Sequence, residues 1–439
     1  MTMEEHAAVD SHSVLADYPQ SRLMYDQEMA VVSSAMAASA GRAARRAVDR
    51  MVRGSNLFSS GMGDDDYGGN TIDDATITRS IDPSDLIVGN HLGQGGFSNV
   101  REAKLASEAD CKPQPHYAVK YLHNMAMGNK KKYQRGAADL IIEAKILEAM
   151  SHRNIIKLHG VTAGDVAVNF GTGRPAGFFL LLDQLSSTLE RRIALWANLD
   201  AKYSKFVVFR RATHDFRGCG RRSLLTERLG VACDLADALS YLHGRGVAFR
   251  DIKPDNIGFD ERNVLKLFDF GLANELKPSS LLPDGTYRLT GNTGSRRYMA
   301  PEVAKNMPYD LSVDAYSFGV LLWEMWATEK PFNGYSVSEY MECVVEGGHR
   351  PCVDPPGVHA LWPSRIKDLM IRCWSKEARS RPDFVSILET LISIKEEEDS
   401  TRKHSFRGLS LLGGIKAVKP VSLKSPQKRR WLKSSEGLR

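Results

Sequence analysis

The sequence predicts an α+β fold of two lobes: a small lobe built on an antiparallel sheet with one helix, and a larger helical lobe. Two observations predict this division. Between residues 86 and 182, short β-like runs surround a single amphipathic helix. After Leu185 the apolar residues follow helical spacing, most clearly over residues 224–243 and 311–327. The sequence pattern changes from β-like runs to helical spacing of apolar residues near residue 184.

The small lobe is predicted to span residues 85–183. Its glycines at positions 93, 95 and 96 lie between two β-like runs and therefore predict a hairpin turn. Apolar residues at helical spacing predict a helix over residues 139–150. The predicted strands are residues 86–92, 97–104, 117–122 and 178–182.

The larger lobe is predicted to span residues 184–395, with further helices over 364–376 and 384–394. A basic insertion over residues 201–222 is interpreted as a solvated loop, with a docking surface for an acidic partner as the alternative. Residues 1–84 are rich in Ser, Gly, Ala and Asp, so we expect a low-complexity, disordered region. An Ala/Arg-rich helix over 35–51 is the alternative to a solvated linker there.

The basic segment 396–439 is expected to be a disordered tail. A net charge of +6 over 439 residues is small, and no nucleic-acid module is visible, which disfavours a nucleic-acid-binding protein. Six cysteines without Cys-x-x-Cys pairing argue against a disulfide framework and for a reducing compartment. No apolar run is long enough for a membrane span. We expect a cytoplasmic protein, with the nucleus as the alternative because residues 424–433 are basic.

The most informative segment is Phe249-Arg-Asp-Ile-Lys-Pro-Asp-Asn256, followed by Asp269-Phe-Gly271. Two carboxylates, a carboxamide and a lysine at such spacing suit phosphoryl transfer from ATP to a hydroxyl. Asp251 would accept or orient the hydroxyl proton, and Lys253 would neutralise charge on the transferring group. Asn256 and Asp269 would hold Mg²⁺. The alternative, that these polar side chains only cap turns, does not account for their order.

These two segments, followed by Ala300-Pro-Glu302, resemble the catalytic and metal loops of eukaryotic protein kinases. Lys253 is typical of Ser/Thr-directed members. Cys373-Trp374, followed by Arg379-Ser-Arg-Pro382, resembles the tyrosine-kinase-like group, which contains mixed-lineage and Raf-like kinases. The resemblance covers about residues 85–395. It implies ATP- and Mg²⁺-dependent phosphorylation of Ser or Thr in protein substrates.

The resemblance also implies a nucleotide site. The glycine turn would form a lid over the phosphates, and an ion pair of Lys120 with Glu143 would position them. The adenine would bond to the backbone of Asp183 and Leu185 beside Leu182. The residues expected to bind nucleotide are Gly93, Gly95, Gly96, Val100, Ala118, Lys120, Glu143, Asp183 and Leu185.

Three positions depart from the family pattern. Phe249 replaces a histidine, and we expect it to pack with Phe270 in an apolar column that includes Leu147 and Leu158. Gly258 replaces a large apolar residue under the adenine, which predicts weaker ATP binding unless a neighbour fills the space. Ser98 replaces the third glycine. A pseudokinase scaffold with weak or no catalysis is therefore the alternative function.

Residues 269–302 resemble an activation segment. Arg250 could pair with a phosphate that an upstream kinase adds within residues 286–293. Ser295 matches the hydroxyl of the family's substrate platform. Structural roles are expected for three further residues: an ion pair of Glu302 with Arg381, and a backbone anchor for the catalytic loop at Asp314.

Overall fold

The computed structural model describes residues 33–58, 79–112, 114–123, 128–172, 177–208, 219–354 and 362–410. The chain divides into two compact units, residues 1–395 and 396–439. The first unit contains both lobes. The described part of the second unit is the end of the last helix, which runs to Ser410. The predicted tail is therefore helical at its start, and its basic segment 424–433 lies outside the described residues.

A six-stranded sheet in the order β1-β5-β6-β4-β3-β2 forms the small lobe. All pairings are antiparallel except that of β1 with β5. The sheet confirms the predicted antiparallel lobe and adds β1 at its edge. Its strands are β1 (Arg79–Ile81), β2 (Leu86–Gln94), β3 (Ser98–Leu105), β4 (Tyr117–Leu122), β5 (Leu158–Thr162) and β6 (Phe179–Asp183).

The larger lobe is mainly helical, and its described residues include five short strands. Its strands form two small sheets, β10-β9-β7 and β11-β8. They are β7 (Ser187–Thr188), β8 (Val247–Ala248), β9 (Ile257–Phe259), β10 (Leu265–Leu267) and β11 (Asn274–Glu275).

Ten α-helices occur in the described residues, and a π-helical segment, Tyr340–Glu346, follows the eighth. Residues 209–218 of the predicted basic insertion lie outside the described residues, and its two ends belong to helices. The helices are α1 (Ser34–Val52), α2 (Lys130–Glu148), α3 (Val166–Gly171), α4 (Leu189–Val208), α5 (Cys219–His243), α6 (Pro301–Ala304), α7 (Ser312–Ala327), α8 (Val337–Glu339), α9 (Ser364–Cys373) and α10 (Phe384–Ser410).

Helix α2 begins earlier than the predicted start at residue 139. The side chain of Asn129 accepts hydrogen bonds from the backbone N–H groups of Lys131 and Lys132, which caps the helix at that point. The first turn is made of lysines, so apolar periodicity could not reveal it. The buried face matches the predicted one and is extended by Tyr133 and Ala137.

The linker interpretation is wrong for residues 33–58. Ser34–Val52 forms helix α1, and its small residues are buried in the main core cluster with residues of α2. Helix α3, between β5 and β6, is a further addition to the small lobe, for which one helix was predicted. The buried side of α1 consists of Ala37, Ser39, Ala40, Gly41, Ala44 and Ala47.

The alternation of side chains along β4 determines which residues face the cleft between the lobes. Val119 and Tyr121 pack in a cluster on the outer face of the sheet. Because successive side chains in a strand point to opposite faces, Ala118 and Lys120 lie on the inner face.

Within the part of the chain that the structure describes, no helix is both long and apolar enough to span a membrane.

Candidate active site

The catalytic segment lies between β8 and β9 and brings three of the predicted side chains together. Lys253 Nζ donates to Asp251 Oδ2 over 2.8 Å. Asn256 Nδ2 donates to the same oxygen and to the backbone oxygen of Asp251, both at 2.9 Å. Asp251 and Asn256 are buried and Lys253 is half-buried. The Asp251 carboxylate is therefore fixed in orientation by its own loop.

Asp314 anchors the backbone of this loop. Its two carboxylate oxygens accept hydrogen bonds from the backbone N–H groups of Phe249, at 2.7 Å, and Arg250, at 2.8 Å. Arg250 has a positive φ of 68°, which costs energy for a residue with a Cβ. Asp314 is fully buried. The anchor offsets that strain, and the predicted role of Asp314 is confirmed.

Lys120 connects the two lobes. Its Nζ lies 2.6 Å from Glu143 Oε2 on α2 and 2.8 Å from Asp269 Oδ1. Glu143 is buried, whereas the side chain of Asp269 remains 44% exposed toward solvent. The ion pair predicted from the sequence is formed, and Asp269 keeps one side free to meet a ligand.

The electrostatics of this cluster follow from its burial. Burial by itself would lower the pKa of Lys120, but the carboxylates of Asp269 and Glu143 raise it above its usual value. The charge of Lys120 lowers the pKa of Asp269, which stays ionised. Burial raises the pKa of Glu143 to about 6, against the opposing effect of Lys120. Burial likewise raises the pKa of Asp139, one turn earlier on α2, to about 6.

Asn256 and Asp269 supply the donor atoms that Mg²⁺ prefers. Magnesium favours hard oxygen ligands, and it is commonly held by one or two carboxylates together with substrate phosphates. The hydrogen bonds donated by Asn256 use Nδ2, so its amide Oδ1 is the atom left for a metal. The exposed side of the Asp269 carboxylate is the second donor. This oxygen pair fits a magnesium ion bound together with ATP phosphates.

The glycine turn closes β2 onto β3. Gly95 N–H donates to the backbone oxygen of Ser98 over 2.8 Å, and a Cβ at Gly93 or Gly96 would meet no atom within 4 Å. Open space above the turn is what a phosphate-covering loop needs. His123, which sequence reasoning missed, holds the tip: its ring Nε2 lies 3.0 Å from Gly96 O.

The predicted hinge follows β6. Leu182 is buried, and the side chain of Asp183 contacts His159, at 2.8 Å, and the backbone N–H of Lys157, at 3.0 Å. Of the two further residues expected to bind nucleotide, Ala118 pairs with Leu182 and so lies beside the hinge, whereas Val100 pairs with Lys120. The hydrogen bonds of adenine to Asp183 and Leu185 stay a prediction.

The space at Gly258 is already filled. A Cβ at this position would lie 2.6 Å from Leu185 Cδ1 and 3.3 Å from Phe268 Cε1. Weaker ATP binding was predicted only if no neighbouring side chain filled this space, and Leu185 fills it. Leu185 supplies apolar surface at this position, and the expectation of weaker ATP binding no longer follows.

Phe249 packs against Phe270 as predicted. The ring centroids are 5.1 Å apart in an edge-to-face arrangement, and both rings are fully buried. Leu147 and Leu158 belong to the same core cluster. Asp269 has a φ of 67°, which allows its carboxylate to meet Lys120 while the next residue, Phe270, is buried.

Residues of the activation segment contact the catalytic loop. Lys253 Nζ donates to Ser295 Oγ over 3.1 Å, and Ser295 N–H donates to Asp251 Oδ1 over 2.8 Å. The Arg250 guanidinium lies 3.3 Å from Thr290 Oγ1 and 3.0 Å from the Tyr309 hydroxyl. The segment thus adopts an ordered arrangement around Asp251.

The buried ion pair of the larger lobe is also formed. Arg381 Nη1 and Nη2 lie 2.5 and 3.1 Å from the two carboxylate oxygens of Glu302. This two-point contact joins the end of the activation segment to the chain before α10. Sequence reasoning missed a second attachment, in which Lys277 binds the end of α1 and Glu275 binds the residues after it, because these partners lie far away along the chain.

Comparison with known proteins agrees with this geometry. Residues 86–391 match the family described as protein tyrosine and serine/threonine kinase. The serine/threonine-protein kinase STY46 of Arabidopsis thaliana is 35% identical over 191 residues, which is 43% of this chain and 31% of that protein. The serine/threonine-protein kinase VIK, also of Arabidopsis thaliana, is 37% identical over 39% of this chain and 38% of its own length.

The dual specificity protein kinase shkB of Dictyostelium discoideum is 37% identical over 37% of this chain and 24% of its own length. The aligned stretches thus cover well under half of each of these three relatives. The family match, by contrast, covers more than half of this chain and includes every predicted site residue. The chain belongs to the protein tyrosine and serine/threonine kinase family.

Proposed function

We propose that this chain transfers the γ-phosphoryl group of ATP to serine or threonine hydroxyls of protein substrates. The observation that carries the proposal is the contact of Lys120 with both Glu143 and Asp269, 2.6 and 2.8 Å away. In the kinase mechanism the lysine–glutamate ion pair and the metal-binding aspartate must both be in place. Here both conditions hold in one arrangement.

Each side chain has a role that its contacts support. Asp251 accepts or orients the proton of the substrate hydroxyl, and its carboxylate is held by Asn256 Nδ2 and the Ser295 N–H. Lys253 lies 2.8 Å from Asp251 Oδ2, where its charge stabilises the transferring group. Asn256 and Asp269 would hold Mg²⁺, which would supply charge neutralisation on the phosphates when bound. Catalysis then consists of positioning and electrostatic stabilisation.

Serine/threonine specificity rests on Lys253 and its contact with Ser295, 3.1 Å away. The printed names of STY46 and VIK support the same specificity, whereas that of shkB adds dual specificity. Phosphoamino-acid analysis of a generic protein substrate tests the point. Mainly phosphoserine and phosphothreonine are expected, and mainly phosphotyrosine would contradict the assignment.

A transfer assay on the full chain tests the reaction. Asp251→Asn keeps the shape of the side chain but removes the carboxylate, so phosphate transfer should fall to background. Glu261→Gln is the matched control, because Glu261 is an exposed carboxylate in the turn between β9 and β10. Equal activity of the Asp251→Asn variant and the native chain would overturn the proposal and favour the scaffold alternative.

We also propose that an upstream kinase, or this chain itself, phosphorylates Thr290. Its hydroxyl is already 3.3 Å from the Arg250 guanidinium, so a phosphate there would pair with a cation. The hydroxyl of Thr286 instead donates to the Asp284 carboxylate, which would repel a phosphate. Mass spectrometry of active protein should find phosphate on Thr290. Full activity of a Thr290→Val variant would contradict this role.

The cytoplasm remains the proposed location, with the nucleus as the alternative. The proposal rests on the cysteine usage and on the basic segment 424–433, which lies outside the described residues. Microscopy of a fluorescent fusion, with and without residues 415–439, tests it. Loss of nuclear signal on deletion would support import through this segment, and an unchanged distribution would remove the nuclear alternative.

A further inference from the structure

The segment before the small lobe contacts two of the elements that must be in place for phosphoryl transfer. Its helix, α1, packs on α2, which carries Glu143. The end of that helix binds Lys277, and the residues after it bind Glu275. Both side chains follow Asp269 in the activation segment. We propose that residues 34–57 form a clamp that holds α2 and the start of the activation segment in the arrangement required for catalysis. The inference rests on the proposed kinase activity.

The first half of the clamp is a close contact between helices. Ala40, Ala44 and Ala47 are no more than 2% exposed and lie in the same core cluster as Tyr133 and Ala137 of α2. On another side of α1, a Cβ at Gly41 would lie only 2.5 Å from the backbone oxygen of Ala167 in α3. Small residues thus allow α1 to fit between α2 and α3, which fixes the position of α2.

The second half of the clamp is polar. The Glu275 carboxylate accepts hydrogen bonds from the Ser55 hydroxyl at 2.5 Å, the Asn56 N–H at 2.8 Å and the Leu57 N–H at 3.1 Å. Glu275 lies in β11, which pairs with β8 directly before the catalytic loop. The clamp therefore reaches the strand that supports both the catalytic loop and the activation segment.

Lys277 adds a second anchor at the end of α1. Its Nζ donates to the backbone oxygens of Arg50, Met51 and Arg53 over 2.7, 2.6 and 2.7 Å. The last carbonyl groups of a helix lack partners within the helix, and a cation there also matches the helix dipole. Lys277 thus ends α1 and ties it to the activation segment at one point.

These contacts make the residues of the clamp positioning residues. Undocking α1 would expose one side of α2 and release Glu275. The Lys120–Glu143 ion pair would then depend on α2 alone, and the population with the pair formed would fall. Because the clamp acts through α2, disrupting it should lower kcat and raise the mobility of α2 together. The residues that contact substrate would not change.

The test uses full-chain variants on two sides of α1. Gly41→Leu raises helix propensity, so the helix itself is retained, but its side chain cannot fit against Ala167. Ala38→Leu is the matched control, because Ala38 is exposed on the same helix. Each variant is assayed for kcat and for ATP KM, and hydrogen exchange is followed over residues 130–148 and 270–280.

For Gly41→Leu we expect kcat to fall by about tenfold, as a shift in a two-state population would cause, with faster exchange in both segments. Ala38→Leu should match the native chain. A synthetic peptide of residues 33–58, added to the Gly41→Leu protein, should restore kcat and protection, and the same peptide carrying Gly41→Leu should not. Lys277→Met should loosen residues 270–280 in the same way.

Native-like kcat in Gly41→Leu, whether or not α2 exchanges faster, would overturn the inference. The exchange measurement separates this result from failure of the proposed function. If the native chain transfers no phosphate, faster exchange in Gly41→Leu that the native peptide reverses still supports the clamp. Equal exchange in the Gly41→Leu and Ala38→Leu proteins would overturn it.

Discussion

The Lys120 ammonium group lies 2.6 Å from the Glu143 carboxylate, and 10% of the Lys120 side chain and 2% of the Glu143 side chain are exposed. A buried lysine without a partner would lose its charge, so the pair and Asp269 keep Lys120 cationic. The contact joins the sheet, α2 and the metal-binding segment. It is the geometric basis of the activity proposed for this chain.

Replacing Glu143 with Gln should impair catalysis more than folding. Gln keeps the volume of the side chain but removes the charge that positions Lys120. We expect kcat/KM for ATP to fall by about 100-fold, the order of loss that a small misplacement of a reacting group causes. Glu148→Gln, an exposed position later on α2, is the control. Equal losses in the two variants, measured by steady-state kinetics, would contradict the assigned role.

Acid should reduce activity before it reduces stability. Burial raises the pKa of Glu143 and Asp139 to about 6, from 4.5 and 3.8. The folded chain therefore binds these protons more tightly than the unfolded chain, so the stability contributed by the two groups increases as the pH falls through 6. The Glu143 charge, however, is lost in the same range.

We therefore expect kcat/KM to fall while Tm does not, between about pH 7.5 and pH 5.5. Parallel kinetics and thermal melts measure both quantities. Over this range the Glu143→Gln variant should lose a smaller fraction of its activity than the native chain does. Protonation of ATP affects both proteins equally, whereas the Gln side chain has no proton to gain. Identical pH profiles of the two proteins would show that Glu143 does not control the acid limb.

The Glu302–Arg381 ion pair should contribute mainly to stability. The Arg381 side chain is fully buried, so Arg381→Ala leaves the Glu302 carboxylate without its partner. Removing one member of a buried pair costs about 3–5 kcal/mol in free energy of unfolding. Arg379→Ala, at an exposed arginine nearby, is the control in denaturant titration. A loss no larger than that of the control would show that the buried pair is not needed.

A Gly258→Leu substitution should not improve ATP binding. Leu185 and Phe268 already occupy the space that the new side chain would enter, so the variant is overpacked. Overpacking costs about 1–3 kcal/mol in free energy of unfolding. Gly230→Leu, at a helical position where a Cβ meets no atom within 4 Å, is the control. Tighter ATP binding with unchanged Tm would show that the space is in fact open.

The catalytic and metal-binding residues could be predicted from the sequence because their chemistry requires particular side chains at short spacing. Asp251, Lys253 and Asn256 lie in one loop, so the spacing itself brings them together. The strands of the small lobe were predictable for a related reason. Alternation of apolar and polar residues, together with β-branched residues, predicts these strands, and the glycine turn predicts the first hairpin.

Helix α1 was predicted only as the alternative to a solvated linker, because its buried side is made of alanine, serine and glycine. Such residues bury little apolar area, so their pattern resembles that of a solvated linker. The helical spacing of Ala40, Ala44 and Ala47 was the signal present in the sequence. Its partners could not be predicted, because Glu275 lies 220 positions from Ser55 along the chain. The filling of the Gly258 site by Leu185 likewise depends on tertiary packing alone.

The proposed kinase activity is tested most directly by ATP-to-protein phosphate transfer with Mg²⁺, comparing the native chain with Asp269→Asn. The variant keeps the shape of the side chain but loses the carboxylate that contacts Lys120 and that would bind the metal. Transfer by the native chain that disappears in the variant is the predicted result. Transfer by neither protein would contradict the proposed kinase activity, and equal transfer by both would contradict the role assigned to Asp269.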